Sequence, residues 1–431
     1  MASPSTSPVV VLGAGFAGLH AVRRLGRAGV PTLWVDANNY HCFLPLLYQV
    51  ATAGLEPQEI AYPARSILHG LPTVDFRLAE IVGADLAAHR LVTAERDTIA
   101  YAQLIVATGG TAEDFGIPGA REALRLYDLD DARALRNHIL RTLERAVMVE
   151  DAALRAELLT FVIVGGGATG VETAGALAEF RRHVIPRDYR AIRPQDVRIV
   201  LLEAGPHVLP PYPPELRDRA RRDLLRFGVD VRTGTKVQRI TPESVEIAGD
   251  APIRTRTVVW AAGIRAAPVA AHLRLPTGKS GRIRVDPTLT VVGHPGVFAA
   301  GDVALVEGAE RLPQVAQTAI QEGEHAATNV LRARAGEPLL PFVYRDRGTM
   351  ATIGRSRAVA VIKGWRVGGR LAWWLWLAVH LVMLIGFRNR LVVLVNWAWN
   401  YVTYDRGLRA IVGRAGWRPD PEARRSASGP A

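Results

Sequence analysis

Two stretches of this 431-residue chain space their glycines in a way that suits them to phosphate. VVVLGAGFAGLHAVRRL (Val9–Leu25) contains Gly13, Gly15 and Gly18, and FVIVGGGATGVETAGAL (Phe161–Leu177) contains Gly165, Gly167 and Gly170. Each reads as a buried strand, a G-x-G-x-x-G turn and an amphipathic helix. The first two glycines allow a tight turn and close backbone approach to a pyrophosphate, and the third lets the helix pack on the strand. Free N–H groups and the positive dipole end at the helix start then attract the phosphates. One such motif is a weak signal. Two, each followed by an acidic strand end, imply two bound dinucleotides and electron transfer between them.

The acids are Asp36, closing VPTLWVD, and Glu203, closing VRIVLLE. A carboxylate there accepts hydrogen bonds from ribose hydroxyls and repels a 2′-phosphate, so the second site is expected to prefer NADH to NADPH. Each half also ends in a strand-turn piece, IVATGG (Ile105–Gly110) and VVWAAG (Val258–Gly263). These assign Thr108 and Gly109 to the first nucleotide, and Ala262 and Gly263 to the second.

The elements that must position these groups predict the fold class. Strands alternating with helices predict an α/β chain with two Rossmann-like units. A third piece, GVFAAGD (Gly296–Asp302), occurs once and late, which implies that the second unit is inserted into the first. The expected domains are 9–118 and 271–342 for the first unit, 119–270 for the inserted one and 343–412 for a C-terminal segment, with disordered ends at 1–8 and 413–431. Leu126 to Leu158 reads as helical, and Pro313 as the first turn of a later helix. On that later helix Gln317 and Gln321 share one face; spacing alone reads them as solvated helix-face glutamines, while amides that both donate and accept would also suit a quinone turning into a quinol.

The formal charge is +12, and the excess is arginine, with lysine only at Lys236, Lys279 and Lys363. Such an excess suits an anionic lipid surface or an acidic ligand, although arginine skew also follows genome composition. No nucleic-acid partner is expected. The single cysteine, Cys42, excludes a disulfide, a CxxC pair, an iron–sulfur cluster and a cysteine zinc site, and no metal site is expected. The polar start MASPSTSP predicts no signal peptide.

Together the fingerprints and GVFAAGD resemble the two-dinucleotide flavoprotein reductases. That likeness implies FAD at the first site, with Asp302 on its ribityl and phosphate part and Gly301 giving backbone approach; Asp302 also suits a helix N-cap. Relatives that pass electrons to a cysteine pair are excluded by the lone Cys42, so the acceptor must be external. NNYHCFLPLLYQVATAGL (Asn38–Leu55), GGGATGVETAGALAE (Gly165–Glu179), AQTAIQEG (Ala316–Gly323) and the tail from Ala372 to Gly407 closely resemble the type II, non-pumping NADH:quinone oxidoreductases, over about residues 9–412. The resemblance implies non-covalent FAD, NADH as hydride donor and a membrane quinone as acceptor. It places Ala316, Gln317 and Gln321 in a quinone pocket beside the flavin. It also puts Glu172, read as a first-turn glutamate of the second fingerprint helix, near the nicotinamide. Two alternatives remain: a soluble NADH-dependent reductase of a ferredoxin-type or small-molecule acceptor, and an NAD(H)-responsive redox sensor without turnover.

In the tail, Leu371–Phe387 and Leu391–Tyr404 are apolar and rich in Trp and Tyr, with Arg388 and Arg390 between them. Neither run reaches the roughly 20 apolar residues of a membrane-crossing helix. Aromatics with arginine suit a segment lying at the membrane interface. The expectation is two helices in one leaflet, on the cytoplasmic face of the membrane, with a homodimer interface as the other possible cover.

Overall fold

A computed structural model describes residues 7–308, 312–403 and 409–412. The expected disordered ends fall almost wholly outside them. The first unit opens with β1 (Val9–Leu12), α1 (Phe16–Arg27) and β2 (Thr32–Asp36), followed by the short α2 (Leu47–Ala51), β3 (Val74–Leu78) and β4 (Gln103–Val106). Its sheet is parallel throughout, in the order late strand–β4–β1–β2–β3. The late strand is Val297–Ala299, from GVFAAGD, which hydrogen-bonds to β4 across an intervening stretch of chain that contains the whole second unit. Every residue of β1 is buried, as a parallel strand covered on both faces must be.

Between these parts lie α3 (Leu129–Met148), β5 (Thr160–Val164), α4 (Ala168–His183), β6 (Arg198–Glu203), β7 (Asp230–Thr233) and β8 (Thr257–Trp260). The second sheet is again parallel, in the order Leu124–Arg125, β8, β5, β6, β7. The two closing pieces take equivalent places: Val106 pairs with Leu12 and Trp260 with Val164, each strand beside its own fingerprint strand. The helical stretch expected over 126–158 is split into α3 and Ala152–Leu158. Asp128 and Asp151 each cap one piece, accepting from the Asp131 N–H at 2.7 Å and the Ala153 N–H at 2.8 Å.

After the late strand, β9, comes α5 (Ala316–Arg334). It starts three residues beyond Pro313, because the Val315 N–H turns back to the Pro313 carbonyl at 3.0 Å before the helix opens. Residues 338–348 then form an extended strap along α5. The C-terminal part begins with an antiparallel meander, β10 (Thr349–Gly354), β11 (Arg357–Ile362) and β12 (Trp365–Gly369), ahead of α6 (Arg370–Met383) and α7 (Phe387–Thr403). The tail reading had only the helices. The meander docks on α4 through Gly175, where a Cβ would stand 2.0 Å from the Ile353 carbonyl oxygen.

Candidate functional site

The two fingerprint loops are built alike, atom for atom. A Cβ on Gly13 would lie 2.2 Å from the Ala107 carbonyl oxygen, and one on Gly165 would lie 2.6 Å from that of Ala261. Both residues also hold left-handed φ values, 114° and 112°. Gly18 and Gly170 sit against the carbonyl oxygens of Gly13 and Gly165, at 1.9 and 1.8 Å for a Cβ. Only the middle glycines, Gly15 and Gly167, face open space, with nothing within 4 Å. The first and third glycines thus serve the turn and the packing, and the middle ones leave room for a phosphate.

The acids meet the loops in the same register. Asp36 Oδ2 accepts the Ala14 N–H at 2.5 Å, and Glu203 Oε2 accepts the Gly166 N–H at 2.6 Å. Their other oxygens accept from Asn38 N and Gly205 N, both at 2.6 Å. Burial raises the Asp36 carboxyl above the ordinary aspartate value, against these backbone donors. The longer Glu203 needs the glycine opposite it: a Cβ on Gly166 would stand 2.9 Å from the Glu203 Cβ and Oε2.

Buried polar atoms without partners mark the first loop as a place for a bound group. Thr108 Oγ1 and His41 Nε2 have no hydrogen-bond partner among the described residues. The other ring nitrogen of His41 donates to the Ala14 carbonyl at 2.7 Å, and burial pushes this histidine down to about 4, so it is neutral. Gly109 turns the chain at φ 68°. Gly301, at φ 80°, donates its N–H to Glu322 Oε2 at 2.5 Å. Burial pushes Glu322 up to about 8 and also raises the neighbouring Asp302. Asp302 lies in the turn after β9, where no helix begins, so it caps none. In the second unit, Ala262 and Gly263 follow β8, and Gly263 has φ 67°.

Glu172 lies one turn deeper in α4 than expected: the first turn of that helix carries no acid. Its carboxyl meets a cavity of about 120 Å³ walled by Tyr48, Gln49, Thr352, Trp376 and Trp397. Burial pushes Glu172 up to about 8, although the Thr352 N–H at 3.2 Å and the neighbouring Trp376 indole both favour its charged form. Trp376 is fully buried, stacks on His380 with ring centroids 4.1 Å apart, and tilts against Trp397. Trp397 also donates to Gln49 Oε1 at 2.9 Å. The cavity thus joins the Asn38–Leu55 segment, the second fingerprint helix and the tail.

Gln317 and Gln321 do not line this cavity. Gln317 donates to the Gly348 carbonyl at 2.8 Å and accepts the Arg347 N–H at 3.1 Å. Gln321 exchanges both hydrogen bonds with the Arg345 backbone, each at 3.0 Å. Further along the same face, His325 and Asn329 bind the Leu340 backbone. The stripe 317, 321, 325, 329 clamps the strap that runs into β10 and so reaches the Glu172 cavity through Thr352. Ala316 opens α5. Reading the sequence missed Trp376, Tyr48, Glu322 and the outer half of the stripe; the i, i+4, i+8, i+12 spacing of the stripe was its available signal.

Two loops made for dinucleotides, in two parallel sheets of which one interrupts the other, define a two-dinucleotide oxidoreductase. Residues 7–323 match the family model of pyridine nucleotide-disulphide oxidoreductases, and residues 347–403 that of the NDH2 C-terminal domain. The chain is 37% identical over 419 residues to the type II NADH:quinone oxidoreductase Ndh of Mycobacterium tuberculosis, covering 94% of this chain and 90% of that one. It is 30% identical over 376 residues to the type II NADH:quinone oxidoreductase of Staphylococcus saprophyticus, covering 84% and 92%. In fold it is similar to NDH2 of Plasmodium falciparum, solved with NADH, at a TM-score of 0.85 and 18% identity over 94% of this chain and 99% of that one. The chain belongs to the type II NADH:quinone oxidoreductase family, an enzyme family that works with a flavin, NADH and a quinone.

Proposed function

We propose that this enzyme oxidises NADH through non-covalently bound FAD and delivers two electrons to a membrane quinone without pumping protons. The observation that carries the reading is the aromatic cavity at Glu172, where both nucleotide units and the tail converge. FAD, once bound, supplies the two-electron chemistry, taking up hydride and giving electrons onward. Gly13, Gly15, Gly18 and Asp36 hold its adenosine end, and Thr108, Gly109, Gly301, Asp302 and Ala316 the remainder. Gly165, Gly167, Gly170, Glu203, Ala262 and Gly263 hold NADH, with Glu203 selecting against a 2′-phosphate.

A quinone becomes a quinol by gaining two electrons and two protons. Glu172 holds a proton at neutral pH beside the cavity and supplies one of them, while solvent supplies the other and returns a proton to the carboxylate. Gln317 and Gln321 fix the strap, and through it the β10 wall. Cys42, pushed up to about 12 by burial, offers no thiolate route.

The tail docks the enzyme on lipid from the cytoplasmic side, where NADH is available. Leu371, Trp374 and Val382 of α6 and Leu391, Leu394 and Trp399 of α7 are exposed, while Trp376 and Trp397 point inward. Among the described residues no helix is long and apolar enough to cross a membrane. A second copy is the other cover for this face. Rapid mixing tests the whole reading: NADH should bleach the flavin, and a lipophilic quinone should restore its colour in a second, separable phase. Flavin reoxidised only by a soluble acceptor would refute it.

A further inference from the structure

A groove of about 720 Å³ lies between α1, α5 and the strap. Arg23, Arg24 and Arg27 come from α1, and Arg345 and Arg347 from the strap. Among the described residues none of the five guanidiniums has a carboxylate partner within 4.0 Å. Two carboxylates stand among them: Glu324, which lines the groove and binds His20 at 2.8 Å, a histidine that burial holds below its ordinary value, and Asp346, which accepts the Gly348 N–H at 2.8 Å. The strap arginines are held in place, since Gln321 grips the Arg345 backbone and Gln317 that of Arg347. Five guanidiniums against two carboxylates leave the groove a net positive charge, and an arriving phosphate relieves the repulsion among the arginines. Burial lowers the half-buried Arg23 guanidinium below its ordinary value, and the charges of Arg27 and then of Arg390, on α7, add to that shift.

We infer that this groove binds the phosphate headgroup of an anionic phospholipid. Two features favour lipid over a soluble phosphate or a nucleic acid. Leu340 and Val343, 42% and 70% exposed, form an apolar lip on the groove. Arg390, whose charge reaches Arg23, stands on the helix that carries the exposed Leu391, Leu394 and Trp399. A headgroup in the groove therefore places its acyl chains beside the surface already proposed to dock, and the inference rests on that docking.

Vesicle flotation of the full-length, FAD-loaded enzyme separates the two claims. Binding to pure phosphatidylcholine vesicles reads the apolar docking, and the gain when a third of the lipid is phosphatidylglycerol reads the groove. The wild type should bind the anionic vesicles more tightly. Arg23→Gln/Arg27→Gln should lose about 30-fold of that gain, at about 1 kcal/mol per basic residue and 1.4 kcal/mol per tenfold, while phosphatidylcholine binding is unchanged. Arg221→Gln/Arg222→Gln, the same charge change on the exposed face of another helix, should lose far less. Flavin content and melting temperature check that the variants fold. A gain equal in the groove variant and wild type, or equal losses in both double variants, overturns the groove. Competition by millimolar glycerol phosphate or by short RNA as effective as that of the anionic vesicles would assign the site to a soluble ligand and overturn it too. Loss of phosphatidylcholine binding alone would count against docking instead.

Discussion

The proton on Glu172 has a predictable signature. Its folded value, about 8, lies above its ordinary 4.5, so the neutral carboxyl contributes stability that is complete below about pH 4.5 and lost as pH rises through about 8. Quinone reduction should therefore fall above pH 8 in the wild type, measured as flavin reoxidation over a pH series. Glu172→Gln keeps the shape and discards the proton: its quinone step should be slower and flat across that range, and its melting temperature should overtake that of the wild type on the alkaline side. A wild-type profile without the alkaline fall would remove Glu172 from proton delivery. Glu203 makes a second residue-scale prediction. Replacing it by Ala removes a charged hydrogen-bonding partner, an effect of about 1.5–3 kcal/mol, so the NADH preference in kcat/KM should erode by about 10- to 150-fold. The glycines and both ribose acids were legible because their chemistry is local and fixed in spacing. Glu322 and Trp376 were not, because neither belongs to a motif of fixed spacing: Glu322 meets the Gly301 N–H, and Trp376 the Glu172 cavity, only once the chain has folded.

Helix α5 links the elements. Its Gly323 lies against α1, where a Cβ would stand 2.1 Å from the Ala17 carbonyl oxygen. Backbone cannot yield as a side-chain tip can, so Gly323→Ala should cost about 1–3 kcal/mol and weaken FAD retention, read by thermal unfolding and by flavin released on dilution. Gln317→Ala loosens the strap instead. It should slow quinone reduction about five- to 150-fold, for a lost hydrogen bond of roughly 1–3 kcal/mol, with flavin reduction by NADH near normal. Equal slowing of both half-reactions would move Gln317 to the flavin. The sequence showed that Gln317 and Gln321 share a face, but not which backbone would come to meet that face. The β11–β12 hairpin could have been foreseen: Lys363 and Gly364, both at positive φ, sit between apolar runs as a two-residue turn demands. The density of tryptophan in the tail obscured that signal.

For the whole molecule, the split of the tail tryptophans decides how docking is tested. Removing the tail would also remove Trp376 from the core and unroof the cavity. Trp374→Ser/Trp399→Ser changes only outward side chains, 57% and 61% exposed. Each buried apolar side chain contributes roughly 1.5–3 kcal/mol, more than the roughly 1 kcal/mol of a basic residue near the surface. High salt should therefore leave most wild-type enzyme on membranes while mild detergent frees it, and the double variant should come off in salt alone. Extraction of the wild type by salt alone would reverse that ranking.

The matched contacts of Asp36 with Ala14 and Glu203 with Gly166 carry one more consequence, for how such halves can be exchanged. The residue after the first fingerprint glycine and the length of the distant acid are two parts of one fit. Gly166→Ala should displace Glu203 and weaken NADH binding, and adding Glu203→Asp should recover part of the loss, because it withdraws the carboxylate but keeps the Cβ 2.9 Å away. Either change alone breaks the match; the pair together would convert the second half to the pattern of the first. Lineages that remodel one of these positions are then bound to remodel the other, a correlated drift that a set of related sequences would reveal with no structure to guide it.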